Sequence, residues 1–590
     1  MGVRVKAVRS LESLPVRPSR FTQALLPDSY SANITDWASA DHLLRTSRPV
    51  KNAMFSYVYP EKSPEPKVLA VSQNALAALD LDPNACETDE FVQVFSGNKV
   101  LDDTRPWALC YGGHQFGLFA GQLGDGRAVS LFETQNEKGE SYEVQLKGAG
   151  RTPYSRFGDG YAVLRSSIRE FLVSEYMHAL GIPTTRALTL IGTSREVYRD
   201  DAPSNVRQPE RGAIVTRFAP SWLRFGNFEL FYSRDEMSNI RKLADYAIDH
   251  VIPPENQDDQ GTGNKYAQFV RRVGKRTARM AAEWQAIGFN HGVMNTDNMS
   301  ILGLTLDYGP FQFFDFYDPE HISNHSDTAG QYAFKRQPTV CIFNMFKLGV
   351  PLFELIGADD KVDSLVYAGE GPEDQVTDEA TRKAYREAGK EAVTRMLSEE
   401  FSDWFMEHLL CKMRRKLGLV KEPEGPGDMN DLVIPLLDWM TEYHIDNHRF
   451  FRSLANYKVT EDGEQADAED AQLDIVCRDA EVLSESKEAL KPWLAMYRHR
   501  LLQDGPLDNA ERKKRMDQVN PRFILRNWVA QEVIDAFDSK SQEEAEELLR
   551  ACLEACLDPY REKYEDERIE NWITSPVPEW GRNLQCSCSS

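Results

Sequence analysis

Three oxygen-bearing side chains in the run HGVMNTDNMSILGLTLDYG, residues 291–309, are of a kind that could do chemistry together: Asp297, Asn298 and Asp307. Asn298 and Asp307 offer a neutral and an anionic oxygen, a usual protein share of a Mg2+ shell that phosphates and water complete. Asp297 is the one carboxylate of this loop not spent on metal, and transfer of a phosphoryl or nucleotidyl group to a hydroxyl benefits from a positioned base. In phosphotransferase loops of this kind the base stands five residues before the Asn, and here that residue is Val293. Asp297 can take up the vacated role from a different angle. The competing reading of the Asp-Asn pair is an Asx-turn. The intervening MSILGLTLDYG reads as two short strands or a hairpin that brings Asn298 and Asp307 to one rim.

Cations that could receive phosphates lie upstream. YGGHQFGLFAGQLGDGRAVSLFE (111–133) carries six glycines before a strand-like run, and Gly124, Gly126 and Arg127 fall in its tightest cluster. Glycine lets backbone N–H groups approach phosphate oxygens, and Arg127 adds a fixed charge. Alone, such a segment is more often a plain turn, and no G-K-[ST] follows to make a Walker A loop. The next strand, YEVQLKGAG, alternates Tyr142, Val144 and Leu146 with polar residues and ends in Lys147. Gly-rich loop, strand, turn, and strand ending in Lys is the order found in kinases. A helix is expected over 161–183, with Leu164, Ile168, Phe171, Leu172 and Tyr176 on its apolar face and Gly181 and Pro183 to stop it. Glu170 is the candidate partner of Lys147, with Glu175 its rival. A second glycine-rich segment holds Asp159 and Gly160, and IVTRFAPSWLRFGNFE (214–229) sets Arg217 and Arg224 seven apart among apolar residues. Buried arginines need an anionic partner: a structural carboxylate, or the phosphates of ATP.

The elements that must position these groups divide along the chain. Residues 101–230 are rich in glycine and short strand-like runs, and 235–590 show mostly helical periodicity, as in KYAQFVRRVGKRTARMAAEWQAIGF (265–289). Two parts with a cleft between them follow from that order. The segments 199–212, 421–428 and 460–472 read as solvated loops. The chain has 590 residues, 41% hydrophobic and 27% charged, with a net charge of −23 that argues against nucleic acid as a partner. No run of eighteen apolar residues exists to span a membrane. Nine cysteines are too few for a disulfide framework, and Cys110, Cys341 and Cys411 read as buried thiols. Cys586 and Cys588, in the terminal CSCSS, read as an exposed redox-type pair or an inert tail. The first twenty residues hold Arg4, Lys6, Arg9, Arg17 and Arg20 against one acid, the composition of a mitochondrial presequence or of a disordered basic tail.

Taken together, HGVMNTDNMSILGLTLDYGP, DPEHISNHSD (318–327), VQLKGAGRTPYSRFGDG, GQLGDGR and NPRFILRNWVAQ (520–531) resemble the selenoprotein O family of protein adenylyltransferases, from about residue 50 to the C-terminus. The resemblance implies an α+β, protein-kinase-like fold of two lobes: a Gly-rich β small lobe over 21–230 and a helical large lobe with a C-terminal extension over 231–580, followed by a cysteine tail at 581–590. It implies ATP bound in a flipped orientation and AMP passed to Ser, Thr or Tyr hydroxyls of protein substrates, with release of pyrophosphate. Carried over motif by motif, Gly124, Gly126, Arg127, Lys147, Asp159, Gly160, Arg217, Arg224 and Asp307 are the ATP contacts, Asn298 and Asp307 the ligands of Mg2+ or Mn2+, and Asp297 the base. Eukaryotic relatives imply a mitochondrial location and mitochondrial redox or metabolic protein substrates, with the cytoplasm as the alternative. Where many members have I-C-N-H-S-D this chain has Ser323, which removes one thiol from any redox switch, and its Cys588 stands where some members carry selenocysteine. The competing functions are a kinase-like phosphotransferase, against which Val293 argues, and a catalytically silent nucleotide-binding scaffold, against which the joint presence of Lys147, Asp297, Asn298 and Asp307 argues.

Overall fold

In the computed structural model the described residues are 9–34, 41–200, 207–253, 263–370, 372–421, 427–459, 473–477, 484–505, 508–582 and 584. The first half of the chain builds an eight-stranded sheet. Its strands are β1 (Phe55–Tyr57), β2 (Lys67–Val71), β3 (Trp107–Leu109), β6 (Ala128–Gln135), β7 (Ser141–Lys147), β8 (Ala162–Val163), β9 (Arg186–Asp200) and β10 (Arg207–Ala219). A separate two-stranded hairpin, β4 (His114–Gln115) with β5 (Leu118–Phe119), projects from it. The sheet runs β1-β3-β6-β7-β10-β9-β2, with β8 paired to β10 off that path. Alternation along β7 sends Val144 and Leu146 to a core with Phe132, Phe218, Leu76 and Phe91. Gln145 and Lys147 therefore face the other way. The antiparallel register sets Arg217 of β10 opposite Gln145 and Val215 opposite Lys147, so Lys147 and Arg217 share one face.

That face is covered by helix α1 (Leu164–Ala179), whose Ile168, Phe171, Leu172 and Tyr176 are fully buried. The helix starts three residues later than its pattern predicts, because Ala162 and Val163 pair with Ala213 and Gly212 of β10. Gly181, at φ +76°, ends it in the left-handed region. A second correction concerns 199–212, expected as a loop. Its two ends continue β9 and β10, with Arg199 opposite Gln208 and Asp200 opposite Arg207. The other two expected loops lie outside the described residues over 422–426 and 460–472.

The second half is helical. Helix α2 (Phe225–Tyr232) follows the sheet, and α3 (Lys265–Ile287) runs through the core. The Asn264 side chain caps α3 by accepting from Tyr266 N and Ala267 N, and Gly288 at φ +72° ends it, as the 265–289 pattern predicts. A two-stranded hairpin, β11 (Phe289–Asn290) with β12 (Gln312–Phe313), brackets the Asp297–Asp307 loop. Helix α4 (Gln337–Gly349) packs on α3, and near the C-terminus α5 (Asn527–Ser539) and α6 (Gln542–Leu557) pack against α1. Within Phe334–Gly357 lies a window long and apolar enough to cross a membrane, but 67% of that window is buried inside the fold, as in a core helix.

The N-terminal segment does not break from the fold at residue 20. Residues 1–8 lie outside the described ones, while Leu11 and Leu14 join the sheet core. Arg17 Nη2 and Arg20 Nε donate to Glu133 Oε1 at 2.7 and 2.9 Å. Glu133 lies directly across from Glu143 in the β6–β7 pair, and Ser19 Oγ donates to Glu143 at 2.8 Å. Two acids side by side in a sheet repel, and the basic segment compensates one of them. Burial, against the Ser19 hydrogen bond and helped by Glu133, lifts the Glu143 carboxyl from 4.5 to about 7. The unfolded chain thus loses this proton before the folded one does, so stability falls as pH rises from about 4.5 to about 7. Glu143→Gln is expected to be more stable than wild type by about 2–3 kcal/mol at pH 8 in urea unfolding, with the gap closing below pH 4.5.

Candidate active site

Between the sheet and the helical half lies a cavity of about 550 Å³, a size suited to a nucleotide. All the residues named from the sequence line it: Gly124, Gly126, Arg127, Lys147, Asp159, Gly160, Arg217, Arg224, Asp297, Asn298 and Asp307. Val293 lines it too.

A charge cluster in the cavity wall gathers on Asp307. Lys147 Nζ and Arg217 Nη1 reach Asp307 Oδ1 at 3.1 and 2.6 Å, and Arg224 Nη1 reaches Oδ2 at 2.8 Å. Glu170 of α1 completes it, 2.6 Å from Lys147 and 2.8 Å from Arg217. Its rival Glu175 is engaged elsewhere, by Arg186 at 2.8 Å. Burial alone would raise the Asp307 carboxyl, but Lys147, Arg217 and Arg224 outweigh it and hold it well below the usual range. Burial likewise pulls the Lys147 ammonium down, against Glu170 and Asp307. Both arginines therefore have carboxylate partners and also face the cavity. Arg217 further donates to Gln145 Oε1 at 2.6 Å and lies over the Trp222 ring.

One loop carries both acids. Met299 bridges to Thr305, closing the short hairpin expected between Asn298 and Asp307. His291 Nε2 lies 3.0 Å from Leu306 O and pins the loop's start to its end. Asp307 sits at φ +53°, a left-handed conformation that Asp tolerates better than most residues and that aims its carboxylate back at the cations. Asn298 Nδ2 donates to Val293 O at 3.0 Å, which turns the amide oxygen away from that carbonyl.

Asp297 is almost wholly buried. Its Oδ2 accepts from Gln115 Nε2 at 3.2 Å, and its Oδ1 has no hydrogen-bond partner among the described residues. Burial lifts the carboxyl to about 7, against the Gln115 hydrogen bond and Arg224. A carboxylate tuned to neutrality suits a general base. The β4–β5 hairpin that supplies Gln115 is a part of the site that sequence reasoning missed. Its His114 N donates to Thr296 Oγ1 at 2.7 Å, and Glu229 of α2 receives His114 Nδ1 at 2.8 Å and the Thr296 hydroxyl. No periodicity announces a strand of two residues.

The glycines have a packing role. A Cβ on Gly124 would lie 2.5 Å from the Tyr154 ring, and one on Gly160 would lie 2.2 Å from the Gly150 carbonyl carbon, both at positive φ. The two glycine-rich segments thus lock against each other. Asp125, between Gly124 and Gly126, turns inward and accepts from Leu109 N at 3.0 Å. Asp159, at the rim, is paired with Arg199 at 2.7 Å, and with Tyr161 N these bonds hold its carboxyl low despite burial.

For a divalent cation the cavity offers the Asn298 amide oxygen and the Asp307 carboxylate, hard oxygen donors that fit Mg2+ or Mn2+. Among the described residues no cluster of three or more His, Cys, Asp or Glu side chains forms an all-protein metal cage. Phosphate oxygens or water would complete the shell. Seven cysteines are free thiols, with Cys110 and Cys341 buried and Cys411 half-buried, whereas Cys586 and Cys588 lie outside the described residues.

Gly113 lies against Asp297, the candidate base: a Cβ there would be 2.7 Å from Asp297 Oδ1 and 3.0 Å from its backbone nitrogen. Gly113→Ala is expected to lower the transfer rate by about tenfold to hundredfold through displacement of the carboxylate, while nucleotide affinity, measured by calorimetry, stays within about twofold of wild type.

Comparison with known proteins accords with this geometry. The family model described as protein adenylyltransferase SelO matches residues 44–554. The protein nucleotidyltransferase YdiU of Myxococcus xanthus is 40% identical over 533 residues, 90% of this chain and 95% of the relative. That of Thiobacillus denitrificans is 40% identical over 538 residues, covering 91% and 96%. That of Cupriavidus pinatubonensis is 38% identical over 577 residues, covering 96% and 100%. These relatives are bacterial. With a model match over most of its length and relatives of this identity along nearly all of it, the chain is a nucleotidyltransferase and belongs to the SelO family of protein adenylyltransferases.

Proposed function

We propose that the cavity binds ATP with its outer phosphates directed inward, toward Lys147, Arg217 and Arg224, and its α-phosphate toward Asp297. The observation that carries this reading is the cluster of three cations around Asp307 in the wall of the cleft. Arg217 and Arg224 add deep positive charge that a γ-phosphate turned inward requires, and Arg127 adds to it at the glycine loop. The surrounding order of sheet, Lys147–Glu170 pair and Asp307 loop supports a kinase-like fold of two lobes with the cleft between them.

On this reading the acceptor is a Ser, Thr or Tyr hydroxyl of a protein. Asp297 takes its proton, the hydroxyl oxygen bonds to the α-phosphorus, and the bond from that phosphorus to the bridging oxygen breaks, releasing pyrophosphate. Asn298 and Asp307 would hold Mg2+ or Mn2+, which neutralises phosphate charge when bound. Val293 is then no loss, because the reacting phosphorus does not sit where a base at that position would serve. A mitochondrial address, with mitochondrial redox or metabolic proteins as substrates, rests on the basic residues at the N-terminus, and a cytoplasmic address is the alternative. Import of a full-length fusion into isolated mitochondria, with and without residues 1–8, separates the two.

Incubation with ATP labelled at the α- or the γ-phosphorus tests the chemistry. Protein labelled from α only is the expected result, and label from γ only would mean a kinase. Arg217→Ala and Arg224→Ala are each expected to weaken ATP binding about tenfold to hundredfold while AMP binding changes little, since the lost charge-assisted contact is to the outer phosphates. Equal weakening of both nucleotides would make these arginines structural.

A further inference from the structure

The motif NPRFILRNWVAQ, residues 520–531, carries part of the family resemblance yet takes no part in the cleft. It lines a second cavity, of about 410 Å³, large enough for a small molecule. Four guanidiniums, Arg449, Arg452, Arg522 and Arg526, face this space with His448 and Trp572. Among the described residues no carboxylate lines it. The acids that fix these arginines lie outside its wall: Glu570 grips Arg522 through both oxygens at 2.8 and 2.7 Å, Asp315 takes Arg526 at 3.2 Å, Asp446 takes Arg526 and, at 3.6 Å, Arg449, and Glu562 and Asp517 take Arg452 at 2.7 and 3.3 Å. The Glu570 pair uses two of the five N–H donors of Arg522, while Arg526 spends Nη1 on Phe314 O and Asp315 and Nη2 on Asp446, so that part of each guanidinium is left for the cavity.

His448 is the second, independent sign. It is 3% exposed, and neither ring nitrogen has a hydrogen-bond partner among the described residues. A buried polar ring without a partner costs free energy that a bound ligand would recover. Burial first, then Arg526 and Lys416, hold the imidazole well below its usual range, so it is neutral and offers one donor and one acceptor.

We infer that this cavity binds a small phosphate-bearing molecule, its oxyanion among the arginines and its apolar part against Trp572 and Ile524. Guanidinium forks match phosphate oxygens two at a time, which a lysine-lined pocket would not do. The site adjoins the catalytic elements. Arg526 donates to Phe314 O at 2.8 Å, a few residues past Asp307. Its neighbour Asn527 accepts from both terminal nitrogens of Arg169 at 3.2 Å, and Arg169 precedes Glu170 on α1.

The test uses the full-length protein with its cleft filled by a non-hydrolysable ATP analogue, titrated with phenyl phosphate by calorimetry. One further molecule bound per chain is expected, with affinity lowered at least about tenfold by Arg522→Gln and by His448→Leu. Retained binding of the ATP analogue reports that each variant is folded. Independently of any variant, tungstate soaked into wild-type crystals is expected to give anomalous density between Arg522 and Arg526. No binding up to about 10 mM, binding that both folded variants leave unchanged, or tungstate found only elsewhere would each overturn the inference.

Discussion

Asp307 joins the two halves of the chain through a buried ion cluster. Lys147 ends β7, Arg217 lies on β10 and Arg224 caps α2, and all three converge on a carboxylate from beyond α3. Such a cluster adds little net stability compared with apolar packing. Removing Asp307, however, takes from Arg224 its close carboxylate and from Lys147 and Arg217 one of two, at about 3–5 kcal/mol. The interaction therefore acts mainly on geometry: it fixes where the sheet stands relative to the Asp297–Asp307 loop. It also explains the left-handed backbone of Asp307, which would carry a strain of about 1 kcal/mol elsewhere and is held here by three opposite charges.

Asp297 is treated in the opposite way. No cation touches its carboxylate, one oxygen has no partner among the described residues, and the other meets only a neutral amide. Two acids ten residues apart thus sit in one cleft with their protonation pushed in opposite directions, Asp307 down by cations and Asp297 up to about 7 by burial. The β4–β5 hairpin makes this separation possible. Glu229 ties His114 and Thr296 together, so the hairpin lies over Asp297 and shields it from water.

Much of this was legible in the sequence because it follows from local order. A glycine loop, a strand ending in lysine, a helix with a glutamate among small residues, and an Asn-to-Asp spacing each announce themselves over a few residues. The 265–289 helix was equally plain from its period and its terminal glycine. What was not legible depends on contacts distant in sequence. Ala162 and Val163 are helix-compatible residues, yet their pairing with β10 overrides this. The 199–212 segment has loop composition, yet it extends a hairpin ladder. Arg17 and Arg20 look like part of a basic tail until Glu133, more than a hundred residues away, is placed beneath them. The sequence offers the glycines as room for phosphate, and in the fold Gly124 also packs on the Tyr154 side chain and Gly160 on the Gly150 backbone.

Helix α1 shows why the C-terminal helices matter to a cleft they do not line. Three charged side chains on it are almost fully buried, and each is held by a different part of the molecule. Arg169 binds Asn527 at the start of α5 and the Phe311 carbonyl, Glu170 binds Lys147 and Arg217, and Glu175 binds Arg186 and the Ser72 hydroxyl. A rotation or shift of α1 that released Glu170 would also break the contacts of Arg169 or Glu175, leaving a charge unpaired in the interior. Here α5 and α6 pack against α1, while the sheet holds its opposite side. The Lys147–Glu170 pair is thus preorganised by the fold.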